Sequence, residues 1–106
     1  MQREFLFKAR VYLTDRFRSK YWVDEKILGD RYILSDNVHN AFKQYVELHN
    51  GDIYSPVKFS KRYTPIYRDT DKGAVQVGYC INGLTEIDDK NINVEVWVEI
   101  LQRADF

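Results

Sequence analysis

Near the C-terminus, nine consecutive positions, Ile92-Asn93-Val94-Glu95-Val96-Trp97-Val98-Glu99-Ile100, alternate between aliphatic and mostly polar residues. Successive side chains of a strand point to opposite faces. Ile92, Val94, Val96, Val98 and Ile100 are therefore expected on a buried face, with Asn93, Glu95, Trp97 and Glu99 on the other. The N-terminal stretch repeats the pattern, with Phe5, Phe7, Ala9, Val11 and Leu13 on one side and Glu4, Leu6, Lys8, Arg10 and Tyr12 on the other. These are predicted to be the two longest strands. If they are neighbours, Lys8 and Arg10 face Glu95 and Glu99 as cross-strand pairs, each contributing roughly 0.2–1 kcal/mol.

The period changes in the middle of the chain. Val38, Ala41, Phe42, Tyr45, Val46 and His49 recur at helical spacing and predict one amphipathic helix. Ser35 is its expected N-cap, Asp36 places an anion near the positive end of the dipole, and Asn50-Gly51 supplies the stop. Before it, Gly29-Asp30 reads as a turn and Arg31-Tyr32-Ile33-Leu34 as a short strand. After it, Pro56 and Pro65 mark edge-like stretches, because proline donates no ladder hydrogen bond. Asp69-Thr70-Asp71-Lys72-Gly73 reads as a loop joining strands at 62–68 and 74–81. The pair Asn82-Gly83 gives the strongest hairpin signal, and 88–91 supply another turn before the last strand. The expectation is a single small α+β domain spanning 1–106: a mainly antiparallel sheet of four to five strands with one helix packed on it, in the order β-α-β-β-β.

Composition adds limits. With 44% apolar residues in 106, the chain can bury a core without a metal or a disulfide. The lone Cys80 cannot form an intramolecular disulfide, and no run approaches the roughly 18 apolar residues of a membrane helix. No signal-peptide core is present, so a cytoplasmic protein of host, phage or mobile-element origin is expected. Net charge is zero but unevenly spread: residues 54–68 carry four cations and no acid, while 84–106 carry two cations and six acids.

Each catalytic signature is incomplete. The 69–73 loop begins like a calcium loop, but its fifth position is glycine and Cys80 stands where the bidentate glutamate belongs. Asp88 and Asp89 are adjacent, so in a turn both are solvated. Ten residues apart on the helix, His39 and His49 lie about 80° from alignment and cannot form an i, i+4 zinc pair. There is no glycine-rich phosphate loop. Catalytic, cofactor-binding and metal residues are therefore expected to be none, with no cofactor, no small-molecule ligand and no enzyme activity.

Two binding classes remain. Exposed aromatics on a small sheet suit a module acting through protein-protein contacts, as adaptor, inhibitor or self-associating subunit. The outward Leu6, Tyr12 and Trp97 are its candidate partner-binding residues. The alternative is a nucleic-acid-binding accessory protein. Arg16, Phe17, Arg18, Lys20 and Trp22 interleave cations with rings, and Lys58, Lys61 and Arg62 supply a second basic stretch. Zero net charge weighs against it, since no global basic field supports phosphate binding.

Overall fold

Apolar alternation at both ends of the chain brings those ends together at the centre of the sheet. The computed structural model describes residues 2–15, 24–50 and 56–105. Its elements are β1 (Arg3–Asp15), β2 (Asp24–Ser35), α1 (Val38–Leu48), β3 (Lys58–Thr70), β4 (Gly73–Ile87) and β5 (Lys90–Asp105). The strands form one antiparallel sheet in the order β2-β1-β5-β4-β3. It is a small α+β fold, with five strands and one helix among the described residues. The helix follows the second strand rather than the first, so the order is β-β-α-β-β-β.

One face of β1 and β5 forms the core. Ala9 lies opposite Val98, Val11 opposite Val96 and Leu13 opposite Val94, and all six are buried. On this face α1 buries Ala41, Phe42, Tyr45 and Val46. The Phe42 ring stacks on Phe7 with centroids 4.4 Å apart and meets Tyr79 of β4 edge-on at 4.7 Å. The Tyr45 hydroxyl donates to the Gly29 carbonyl at 2.9 Å, and burial pushes its pKa up to about 12, so it stays a donor across the neutral range.

Several expectations are corrected. The chain does not turn at Gly29-Asp30: β2 runs through both, pairing Arg31 with Phe7 and Leu28 with Ala9. Three steps along β2 match two along β1, so the glycine and aspartate accommodate a bulge, the other common use of such residues in a strand. The helix is capped by Asn37 rather than Ser35. Its side chain accepts from the Asn40 amide at 2.9 Å, leaving the Ser35 hydroxyl to donate to Asp36 at 3.2 Å. Hydrogen bonds from Asn40 and Ser35 hold the exposed Asp36 carboxyl below its usual range. At the other end, Asn50 grips Val57, accepting from its amide at 2.8 Å and donating to its carbonyl at 3.3 Å, which ties the helix exit to the start of β3.

The largest correction concerns Asn82-Gly83, which lies inside β4, not in a hairpin. Asn82 faces Glu95 and Gly83 faces both Val94 and Phe59. A Cβ at Gly83 would stand 2.8 Å from Val57 Cγ1 and 2.9 Å from the Lys58 carbonyl oxygen, so the glycine is there to admit the start of β3. The two-residue turn is Asp88-Asp89, both at positive φ (50° and 63°), between the paired Ile87 and Lys90. That is the type I′ requirement, met by aspartates that tolerate the left-handed region imperfectly. Replacing Asp88-Asp89 by Asn-Gly is expected to raise stability by about 0.5–1 kcal/mol. A urea titration showing no gain would contradict the turn geometry.

The Asp69–Gly73 loop is a turn as expected, with Thr70 opposite Gly73 and Gly73 at φ 105°. Pro65 sits on β3, an edge strand, also as expected. The predicted cross-strand register holds for one of the two cations. Lys8 lies opposite Glu99, but Arg10 lies opposite Trp97 and donates instead to Glu25 of β2 at 2.9 Å.

Candidate protein-binding face

Because α1 occupies the core side, the opposite face of the sheet carries no helix among the described residues, and the outward residues of β1 and β5 meet there. Tyr12 lies opposite Glu95 and Arg10 opposite Trp97, which makes Tyr12 and Trp97 diagonal neighbours. Trp97 is 41% exposed, and its indole N–H donates to the Glu95 carboxylate beside it. Across β4 the next residue in the row is Cys80. Burial, reinforced by Glu95, pushes that thiol up to about 11, so at neutral pH it is protonated and weakly reactive.

Beside Trp97 the face dips. Ile66 pairs with Gly78 and Tyr67 with Gln76, so Val77 is an extra residue in β4. Gly78, next to this bulge, has no side chain to fill the surface. The result is a hollow of about 280 Å³ walled by Trp97, Tyr12, Arg10, Ile66, Arg68 and Val77. That lies just under the range of roughly 300–1,000 Å³ for small-molecule pockets and suits an inserted side chain better than a whole ligand. Lys8 and Glu99 complete a charged rim.

Of the three candidate residues, Tyr12 and Trp97 therefore share one site, and Leu6 does not. Leu6 is half-buried farther along β1, opposite Tyr32 and Gln102, whose side chains approach each other at 3.5 Å. Ile66, Arg68, Val77 and Gly78 belong to the site but were not among the sequence candidates. The one available signal was a glycine inside an apolar strand pattern, which often marks a bulge or a close approach.

The alternative set is split. Lys58, Lys61 and Arg62 are exposed along the edge strand β3, whereas Arg16, Phe17, Arg18, Lys20 and Trp22 lie outside the described residues. Lys58 sits opposite Leu84, toward the same end of the sheet as the acidic Asp88-Asp89 turn. The histidines serve packing: His39 Nδ1 is 3.1 Å from the Tyr79 hydroxyl, and the His49 ring lies 4.6 Å from that of Tyr45. Among the described residues no three His, Cys, Asp or Glu side chains cluster as metal ligands, and no helix is long and apolar enough to cross a membrane. Compared with protein-family models, with curated proteins and with solved structures, the chain matches none.

Proposed function

We propose that the chain is a non-enzymatic binding module that docks a protein partner on the sheet face opposite α1. The observation that carries this is Trp97, a large apolar ring left 41% exposed beside a hollow of about 280 Å³. Tryptophan and tyrosine are enriched among the residues that dominate binding energy, especially next to a pocket and within a polar rim. Here Tyr12 and Trp97 supply the anchor, with Lys8, Arg10, Glu95 and Glu99 around them. A partner side chain entering above Gly78 would bury the indole and the flanks of Ile66 and Val77 together.

Trp97→Ala is expected to leave the protein folded, with melting lowered by only a few degrees, while losing the partner. The test is capture of partners from the native cell by wild type and variant, with and without nuclease. In a Trp22→Phe background, the emission of Trp97, then the sole tryptophan, should shift to the blue when the captured partner is added back. Equal capture by wild type and Trp97→Ala overturns the reading. Capture that disappears with nuclease and with Lys61→Glu/Arg62→Glu supports the nucleic-acid alternative instead.

A further inference from the structure

The two edges of the sheet are built differently. β3 is blunted against pairing by Pro65 and by the exposed cations Lys58, Lys61, Arg62 and Arg68, all of one sign. β2, twelve residues without proline, has no strand on its outer side among the described residues. It also carries Ile27, Tyr32 and Leu34, each more than half exposed. We infer that the free edge of β2 pairs antiparallel with β2 of a second copy of this chain, centred between Asp30 and Arg31. This does not rest on the Trp97 reading.

The bulge is what makes that register possible. In a regular strand, a two-fold axis between adjacent residues would set inward residues against outward ones. In β2 the faces are offset. Ile27, opposite Arg10, and Leu34, opposite Glu4, both point away from the helix, while Leu28 and Ile33 are buried beneath it. Arg31 lies opposite the buried Phe7 and so sits on the helix side, while Gly29 and Asp30 fall between the Phe7 and Ala9 pairings as the bulge. Pairing about the Asp30-Arg31 midpoint therefore matches faces on both flanks of the bulge. Ile27 meets Leu34, Leu28 meets Ile33 and Gly29 meets Tyr32, each twice.

Charge selects the same register. Asp30 meets Arg31 of the other copy, and Arg31 meets Asp30, so two charges that would repel a foreign strand neutralise each other. Moving the register by two residues in either direction sets Leu28 against Arg31 or Asp30 against Ile33. Because the β3 edges stay blunted, the assembly closes as a two-fold dimer with one ten-stranded sheet instead of growing into a fibre.

Sedimentation equilibrium across a concentration series tests this. Wild type should be dimeric at high concentration. Asp30→Arg alone sets Arg against Arg and Arg31→Asp alone sets Asp against Asp, so each should weaken the dimer roughly ten- to a hundredfold. Both positions are exposed, and circular dichroism should confirm that both variants fold. An equimolar mixture of the two variants restores opposite charges at both contacts and should recover a heterodimer near wild-type affinity. A wild type that stays monomeric overturns the inference, as does a dimer indifferent to the single variants or a mixture that remains monomeric.

Discussion

Val96→Asp is expected to unfold the protein at room temperature, while Glu95→Lys one position away shifts its melting by a few degrees at most. Val96 is 1% exposed on β5, flanked by Val11 of β1 and Ile81 of β4, both fully buried. An aspartate there loses about 1.5–3 kcal/mol of apolar burial. It also places a carboxylate where no donor faces it, an effective penalty of several kcal/mol more. Those losses are comparable to the whole stability of a chain this size, about 5–15 kcal/mol. Glu95 points to the open face, where lysine gives up a hydrogen bond from the Trp97 indole and little else. Circular dichroism of both variants in a urea series checks the outcome. Similar small losses in the two would mean that Val96 does not face the core.

The same parity argument explains how much of the fold is legible from residues alone. Where one face is uniformly apolar, as in β1 and β5, a shift of one residue would expose the entire set, so alternation states both the strand and its orientation. Helix α1 is legible for the same reason at a different period. β4 is not, because its alternation is interrupted by Gly78 and by Asn82-Gly83, and local turn chemistry points to a hairpin there. Only the approach of Val57 and Lys58 to Gly83, a contact between distant stretches, shows that the glycine is needed within a strand. Meanwhile Asp88-Asp89, a weaker turn signal, makes the tight turn because Ile87 and Lys90 must pair to keep β4 and β5 in register.

The candidate site divides along the same line. That Tyr12 and Trp97 point outward follows from parity within their own strands. That they share a hollow with Ile66, Arg68 and Val77 depends on three cross-strand registers, one containing a bulge, and no local pattern encodes these. Leu6 illustrates the limit. Its outward face is correctly inferred, yet its partners are Tyr32 and Gln102, away from the hollow.

Gly78→Ala should be the most destabilising single-methyl change in the sheet, costing about 3 kcal/mol or more, which for a protein of this size lowers melting by roughly 15 °C. A Cβ at Gly78 would stand 2.2 Å from the Val98 carbonyl oxygen, 3.2 Å from its carbon and 3.4 Å from Glu99 Cα. These are backbone atoms of the adjacent strand, so no side chain can rotate aside. Either β4 and β5 separate, breaking ladder bonds between interior strands, or the Val77 bulge must be rebuilt. Gly29→Ala is the control. It too is a strand glycine, but its Cβ would meet nothing within 4 Å. That substitution should be neutral or gain a few tenths of a kcal/mol by restricting the unfolded chain. Thermal melts of the two variants beside wild type separate close approach from mere loss of glycine flexibility. If Gly78→Ala melts like Gly29→Ala, β4 does not press on Val98, and the hollow beside Trp97 loses its structural basis.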